Sequence, residues 1–573
     1  MMKARIPAQN PRANLKDYAA ETAAFSWTDA AGAFTWSETG RINIAHEAVD
    51  RWVEDPETAD RTALVFEKAS LVDSFSFRQL KQESSRWAHL MRNQGLEAAD
   101  RLFVFLPPSP EIYIALLACA RMGAISSPLY STFNYGELEV RLRDGRPKAV
   151  LTSPDLIERL PAEAMTGVEM VFLTRGPAPG LFDRELIVKD LLPGIETEFP
   201  TQWVDQDTPL YLLFTSGSTG PPKGVIHCHR DMVGHLLTAR FVLDLNPGDV
   251  LWTDCDAAWV TGTVYGAFAP WLRGVTSVVQ GSPFSASNWY RTIERHGVTV
   301  CYTTPAHVKE LAEAGDDLPG RYDMACLRHL ATVGESLGPD MFYWCKRALK
   351  RVPHETWWMT ETGMICLANF PALDTKPGSM GRPVPGVEAA ILDENGEVQP
   401  ILTMGELALK TGWPAMMAGI WQDDDRYQYY FRVPGWFLSG DMAVRDEEGY
   451  FFHMGRNDDL IKVGQQMIGP YEVEHVLCRH PAVAEAAVIS KTMPTNEVRI
   501  KGFVTLLMGQ TASARLAQEI KEFVRANLSP DIPLAEVTFL DVLPRTKSGK
   551  LLRRVLRARE LGLPVGDPLN MRD

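Results

Sequence analysis

The sequence predicts an α/β fold: a large N-terminal domain of parallel-rich sheets flanked by helices and carrying a β-rich subdomain, then a small α+β C-terminal domain. Three observations predict it. Between about Leu64 and Val279, short apolar runs alternate with amphipathic helical stretches, the pattern of parallel strands joined by helical crossovers. After Gly381 the texture changes to short strands separated by turn residues. Beyond the polar stretch Arg456-Asn457-Asp458-Asp459 a fresh mixture of strand and helix begins, so the boundary is placed at Asp458, giving domains 1–457 and 458–573. The second of these, about 115 residues, is long enough for its own core.

Taken in order, Phe77 to Met91 carries helical spacing, Leu102 to Leu106 (LFVFL) reads as a buried strand, and Glu111 to Met122 is again helical. The apolar stretch Ile112 to Ile125 is interrupted by Arg121 and is too short to span a bilayer, so it reads as a buried helix. Lys148 to Thr152 (KAVLT) and Tyr211 to Phe214 are further strands. GVEAAILDENGEV and GELALK read as antiparallel strands around the turn dipeptide Asn395-Gly396. MAVRDEEGYFFHMG reads as another strand-turn-strand. Helices are expected at Pro470 to Arg479 and Ala514 to Asn527, and strands at VAEAAVIS, KGFVTLL and EVTFL. In such a layout ligand-binding loops gather at the carboxyl ends of strands.

Lys plus Arg number 58 against 72 Asp plus Glu, a net charge of −14. That excess of acid argues against nucleic acid or an anionic membrane as the main partner. An anionic substrate would therefore need its own local basic groups. The first residues, MMKARIPAQNPRANLKDY, lack the apolar run of a signal peptide, and no membrane insertion is expected. Eight cysteines are scattered without a CxxC pair, which points to reduced thiols in the cytoplasm rather than a zinc site or a disulfide framework.

The most informative segment is YLLFTSGSTGPPKGVIHCH, Tyr211 to His229. An apolar strand runs into Thr215-Ser216-Gly217-Ser218-Thr219-Gly220, then Pro221-Pro222-Lys223-Gly224. Glycines let backbone N–H groups approach a phosphate closely, hydroxyls add donors, and Lys223 adds charge. The loop is not a Walker A motif, because Lys223 is followed by Gly224 rather than Ser or Thr.

This loop resembles the phosphate-binding signature of the adenylate-forming superfamily, and three further segments are similar to that family's motifs in the same order. WWMTETG (Trp357 to Gly363) resembles its nucleotide-binding motif, FLSGDMAVRDEEGYFFHMGRNDD (Phe437 to Asp459) its ribose and hinge motifs, and PRTKSGKLLRR (Pro544 to Arg554) its catalytic-lysine motif. The resemblance covers essentially the whole chain and implies an AMP-forming acyl-CoA synthetase using ATP, Mg²⁺ and CoA. It further implies a mobile C-terminal domain that rotates about Asp458 between adenylation and thioester formation.

The chemistry so implied is specific. A carboxylate is a poor acyl donor, so AMP is transferred onto it with loss of pyrophosphate, giving a mixed anhydride that a thiol can attack. The protein must neutralise phosphate charge and hold the carboxylate in line with the α-phosphorus. By resemblance, Thr215 to Lys223 would close over the β- and γ-phosphates, Thr360 would bond the α-phosphate, and Glu361 would hold Mg²⁺. Trp357 belongs to the same motif. Gly334-Glu335-Ser336 resembles the family's adenine-side turn, with Ser336 in place of Pro or Ala. Asp441 would accept the ribose hydroxyls and Arg456 would meet ribose and phosphate. Arg525 aligns with an arginine that meets CoA phosphates. Lys550 is the catalytic candidate, and as the acetylated lysine of many relatives it implies a lysine acetyltransferase and deacetylase as partners.

Trp358 and the Trp259-Val260-Thr261-Gly262 segment resemble the acetyl-CoA synthetase branch, where a tryptophan walls off the acyl pocket and Val260, Thr261 and Val333 would complete it. Together they favour acetate or another short acid. Met359 departs from the Gln usual there, and the chain resembles the shorter branch, near ligases for branched or medium-chain acids. In Lys462 to Met467, Gln465 takes the place of a tunnel-lining Gly and Met467 that of an Arg. A propionyl-, branched- or medium-chain acyl-CoA ligase and a module loading a carrier protein remain alternatives. If Lys550 acts as the resemblance implies, Lys550→Ala abolishes adenylate formation in a pyrophosphate-exchange assay yet spares attack by CoA on supplied acyl-AMP.

Overall fold

The computed structural model describes residues 5–10, 13–36, 39–215, 222–459, 461–463, 466–492, 498–528, 534–545 and 551–562. The chain divides into two compact units, one of Met1–Thr215, Pro222–Val387 and Thr411–Tyr429, the other of Ser216–Pro221, Glu388–Lys410 and Tyr430–Asp573.

Among the described residues the larger unit carries a nine-stranded and an eight-stranded sheet. The nine-stranded sheet is parallel through strands Thr62–Lys68, Thr276–Gln280, Val250–Thr253, Val300–Thr303, His329–Thr332 and Pro353–Trp357. Antiparallel strands close it at each edge. The eight-stranded sheet is parallel around Arg101–Leu106 and Ala149–Thr152 and continues through the antiparallel pair Pro209–Thr215 and Lys223–Cys228 to the edge strand Gly419–Ile420. Buried on both faces, such strands read as continuous apolar runs rather than alternating ones. That is how LFVFL and KAVLT appear in the sequence.

A helical layer lies between the two sheets. The run Val260–Leu272, whose middle turn is a π-helix, takes hydrogen bonds from Thr253 and Ser277 of the nine-stranded sheet. Its Phe268 stacks on Tyr211 of the eight-stranded sheet. Pro110–Met122 is buried on every side and meets the same run through Tyr113 and Trp271 at 6.2 Å. Arg121 is fully buried within that helix: its guanidinium donates to Asp50 Oδ2 at 2.7 Å and to Ser84 Oγ at 2.9 Å. A buried charge in the last turn of an apolar helix is tolerated because its partner is buried beside it.

In the smaller unit, Ala389–Leu392, Gly405–Lys410, Trp436–Arg445 and Phe451–Arg456 form an antiparallel sheet. The two segments expected to pair do so, Ala389–Leu392 antiparallel to Glu406–Leu409. Asn395-Gly396 turns the chain within the first, closing the bridge Leu392–Val398, and the Asp393 carboxylate accepts the N–H groups of Asn395 and Glu397. The rest of this unit contains helix Pro470–Cys478 on the strands Val483–Thr492 and Val498–Leu506, with helix Ala514–Asn527 against Leu534–Phe539. No helix among the described residues is long and apolar enough to cross a membrane. Removing the partner of a buried charge costs about 3–5 kcal/mol, so Asp50→Ala should lower the unfolding free energy by about that amount in urea titration.

Candidate functional site

Four neighbouring parallel strands, Val250–Thr253, Val300–Thr303, His329–Thr332 and Pro353–Trp357, run in register, so their carboxyl ends stand side by side. The segments that follow three of them hold Val260 and Thr261, then Val333 to Ser336, then Trp358 to Gly363. These sequence-expected residues are therefore gathered along one edge of the nine-stranded sheet, while Thr215 and Lys223 lie on the eight-stranded one.

The Thr360–Thr362 segment is a single 3₁₀ turn closed by Gly363 at φ +67°. A Cβ at Gly363 would lie 2.0 Å from the Ala415 carbonyl oxygen and 2.7 Å from His227 Cε1, so only glycine fits there. All four carbonyls of the turn accept from outside it. His227 Nε2 donates to Thr360 O at 2.7 Å, Met417 N to Glu361 O at 3.1 Å, Trp413 Nε1 to Thr362 O at 2.8 Å, and His235 Nε2 to Gly363 O at 3.0 Å.

Strand Lys223–Cys228 grips this turn twice. Alternate residues of a strand share a face, so Lys223 and His227 project together; the Lys223 ammonium pairs with the buried Glu361 carboxylate. His227 Nδ1 stands 2.6 Å from Asp231 Oδ2. A carbonyl cannot donate, so Nε2 carries a proton and a second proton lies between Nδ1 and Asp231. Burial pushes the Asp231 carboxyl above its usual value, opposed by His227. Burial also pushes His235 down to about 3, with His227 adding to the effect, so His235 is a neutral donor.

Thr215 ends strand Pro209–Thr215 directly opposite Lys223. Its hydroxyl is buried without a hydrogen-bond partner among the described residues. Ser216, Gly217, Ser218, Thr219 and Gly220 lie outside the described residues, as does Lys550. Gly334 adopts φ +99°, and a Cβ there would meet the Trp259 ring at 2.8 Å. The loop it opens, through Glu335 and Ser336, is fastened by Leu337 N, which donates to Glu355 Oε2 at 2.9 Å. Trp357 is buried at the end of its strand.

Trp358 is braced from two sides. Its indole N–H donates to the Tyr302 hydroxyl at 3.0 Å, and Tyr265 meets its ring edge-on at 5.1 Å. Thr356 gives its own proton to the Thr332 carbonyl, so Tyr302 donates to Thr356 and accepts from Trp358. Val260, Thr261 and Val333 are all buried, and Thr261 Oγ1 has no hydrogen-bond partner among the described residues. A buried orphan hydroxyl is a group awaiting a polar ligand.

In the smaller unit, Asp441 and Arg456 face each other across paired strands, and Arg456 Nη1 donates to Asp441 Oδ1 at 3.0 Å. Gly440, at φ +76°, lets the chain turn beneath the Arg456 guanidinium. Arg525 is exposed in the last turn of Ala514–Asn527, on an element separate from that pair. The Asp458 backbone lies in a 3₁₀ turn, Asn457–Asp459. Next to it, the Asp459 carboxylate accepts from Arg553 at 3.2 Å, and Arg553 also holds Glu474 at 2.6 Å. Of Lys462 to Met467, residues 464–465 lie outside the described residues; Ile461–Val463 and Gln466–Ile468 pair antiparallel.

Sequence reading missed His227, Asp231, His235, Trp413, Glu355, Tyr302 and Tyr265. Only His227 carried a signal, its even spacing from Lys223 along one strand. The other partners meet the turn and the wall through tertiary contacts that no local spacing announces.

A buried lysine–carboxylate pair at a glycine-closed turn, on the carboxyl edge of a parallel sheet, marks an α/β protein with its candidate site at the strand ends. More particularly, the chain belongs to the AMP-binding enzyme family: that family matches residues 50–421, and the AMP-binding enzyme C-terminal domain matches 472–550. Among curated relatives, the acetyl-coenzyme A synthetase of Bacillus subtilis is 43% identical over 570 residues, covering 99% of each chain. The acetyl-coenzyme A synthetase of Pyrobaculum aerophilum is 35% identical, covering 94% of this chain and 86% of its own. Among solved structures, a Brucella canis acyl-CoA synthetase superposes with a TM-score of 0.73 at 28% identity, covering 95% of this chain and 99% of its own. An anthranilate CoA ligase in complex with anthranoyl-AMP superposes with a TM-score of 0.82 at 25% identity, covering 93% and 99%.

Burial raises the Glu355 carboxyl from 4.5 to about 7, against the pull of the Leu337 and Gly378 N–H groups. The folded state thus holds a proton that the unfolded chain has released, and stability falls as pH rises between those two values. Glu355→Gln lacks that slope, so urea titrations at successive pH should show it gaining on the parent across this window.

Proposed function

We propose that the chain is an AMP-forming acetate–CoA ligase, joining a short carboxylic acid to CoA through an acyl-adenylate. The observation that carries the acid's size is the braced Trp358. An indole fills a large volume, and one held by both a hydrogen bond and an edge-on ring cannot swing aside to admit a longer chain.

In the first half-reaction the acid's carboxylate attacks the α-phosphorus of ATP, and the bond to pyrophosphate breaks. In the second, the CoA sulfur attacks the acyl carbon, AMP leaves, and the thiol proton is released. Lys223 and Glu361 neutralise each other in a buried site, where either charge alone would be costly. We assign Lys223, with Thr215 and the Ser216 to Gly220 loop, to the β- and γ-phosphates, and the Thr360 hydroxyl to the α-phosphate. Gly334 to Ser336 and Trp357 are assigned to the adenine side, and Asp441 and Arg456 to the ribose. Lys550 is assigned the charge developing at the α-phosphate, Arg525 a CoA phosphate, and Asp458 the pivot of a C-terminal domain spanning 458–573.

The described residues contain no cluster of three or more metal-ligating side chains, and Glu361 offers one buried carboxylate. That donor set suits Mg²⁺, which takes one or two carboxylates plus substrate phosphates. When bound, Mg²⁺ would supply charge neutralisation between phosphate oxygens. The cytoplasm suits the chain's free thiols. Acetylation of Lys550 by a lysine acetyltransferase, reversed by a deacetylase, would remove the charge that adenylation needs.

Pyrophosphate release measured across two- to eight-carbon acids, with and without CoA, tests the reading. Acetate should be preferred and CoA turnover should need no carrier protein; preference for a medium-chain acid would overturn the assignment. Trp358→Gly should shift kcat/KM from acetate towards four- to six-carbon acids by about tenfold or more, the scale of hydrophobic pocket discrimination.

A further inference from the structure

We propose that His227, backed by Asp231, is the positioning residue of the adenylation half-reaction: it fixes the Thr360–Glu361 peptide on which the α-phosphate and metal are to be held. The proposal rests on the ligase reading given above.

The geometry separates His227 from the other three donors to the turn. Met417, Trp413 and His235 hold the carbonyls of Glu361, Thr362 and Gly363, so the turn is anchored without His227. The Thr360 carbonyl accepts Gly363 N at 3.1 Å within the turn, and His227 is the side chain that holds it from outside; the hydroxyl of that residue is assigned the α-phosphate. The imidazole has no freedom to drift. Nδ1 is tied to Asp231 at 2.6 Å, the ring stacks on Tyr211 at 5.0 Å, and Gly363, lacking a Cβ, leaves room for the ring edge. His227 also shares its strand face with Lys223, which holds Glu361, so one rigid strand sets both members of the Thr360–Glu361 pair. Asp231 is itself placed by the turn His229–Asp231 immediately after that strand, and it accepts Cys228 N at 3.3 Å.

A misplacement of about 1 Å at reacting groups can cost about 100-fold in rate. The loss should therefore appear in adenylation and spare thioester formation. The test uses the full chain with acetate, CoA and chemically prepared acetyl-AMP. Acid-dependent ATP–pyrophosphate exchange reports the first half-reaction, and acetyl-CoA formed from supplied acetyl-AMP reports the second. His227→Gln keeps a donor where Nε2 stands, whereas His227→Asn keeps the contact to Asp231 but cannot reach Thr360. We expect His227→Gln to exchange within about threefold of the parent. His227→Asn should lose about 30- to 100-fold in kcat of exchange, with KM for acetate nearly unchanged and the second half-reaction intact.

Equal losses in both half-reactions that track a lowered melting temperature would reduce His227 to a structural residue and overturn the proposal. So would parental exchange by His227→Asn. Should that variant fail to fold, Asp231→Asn carries the comparison, with about tenfold loss expected in exchange alone; an unchanged rate overturns the proposal. If the parent chain shows no acid-dependent exchange, the ligase reading fails, and this proposal with it.

Discussion

A carbonyl oxygen shut away from water without a donor costs about 1–3 kcal/mol, and the turn from Thr360 to Gly363 exposes four of them to a buried site. Satisfying all four from outside is the constraint around which the larger unit is arranged. The donors come from three separate segments: strand Lys223–Cys228, helix Met232–Phe241 and the stretch Trp413 to Met417. Those segments must approach the turn closely, and glycines mark the approach. A Cβ at Gly234 would strike Met364 Sδ at 2.4 Å, and one at Gly363 would strike the Ala415 carbonyl. A turn so fixed can present a hydroxyl and a carboxylate in one orientation before any ligand arrives, which is what electrostatic preorganisation requires.

Trp358 is held on the same plan, a side chain immobilised by the groups packed around it. Hydroxyl protons run from Tyr302 to Thr356 to the Thr332 carbonyl, and from Tyr265 to Thr238 to the Gly234 carbonyl. Each tyrosine is oriented by its own relay, and between them they leave Trp358 a single placement. The placement of the indole is then a property of the network as well as of its own backbone.

Much of this was legible in the sequence. The buried parallel strands LFVFL and KAVLT, the helix from Glu111 to Met122, and the helix Ala514–Asn527 lie where apolar spacing puts them. Local spacing reports what a residue's own neighbours dictate. It placed the turn at Asn395-Gly396, where the Asp393 carboxylate accepts the nearby N–H groups. Motif resemblance found Thr360, Glu361, Lys223 and Trp358 because they sit in contiguous signatures. It could not find Glu355 or Tyr302, whose contacts span 18 and 56 residues of sequence and carry no local pattern. Arg121 marks the same limit, since its position could be read from the sequence whereas its partner Asp50 could not.

The pairing of Thr215 with Lys223 carries a last consequence. In many phosphate-binding loops the chain passes from a strand into a helix, whose macrodipole supplies about half a unit of positive charge to the anion. Here the chain returns as an antiparallel strand, and a β-strand offers little net dipole. The positive charge at this end of the loop therefore resides in an ionisable ammonium rather than in the backbone. A backbone dipole cannot be erased by mutation; the Lys223 charge can be, so one substitution removes from this end of the strand pair what no substitution removes from a helix terminus.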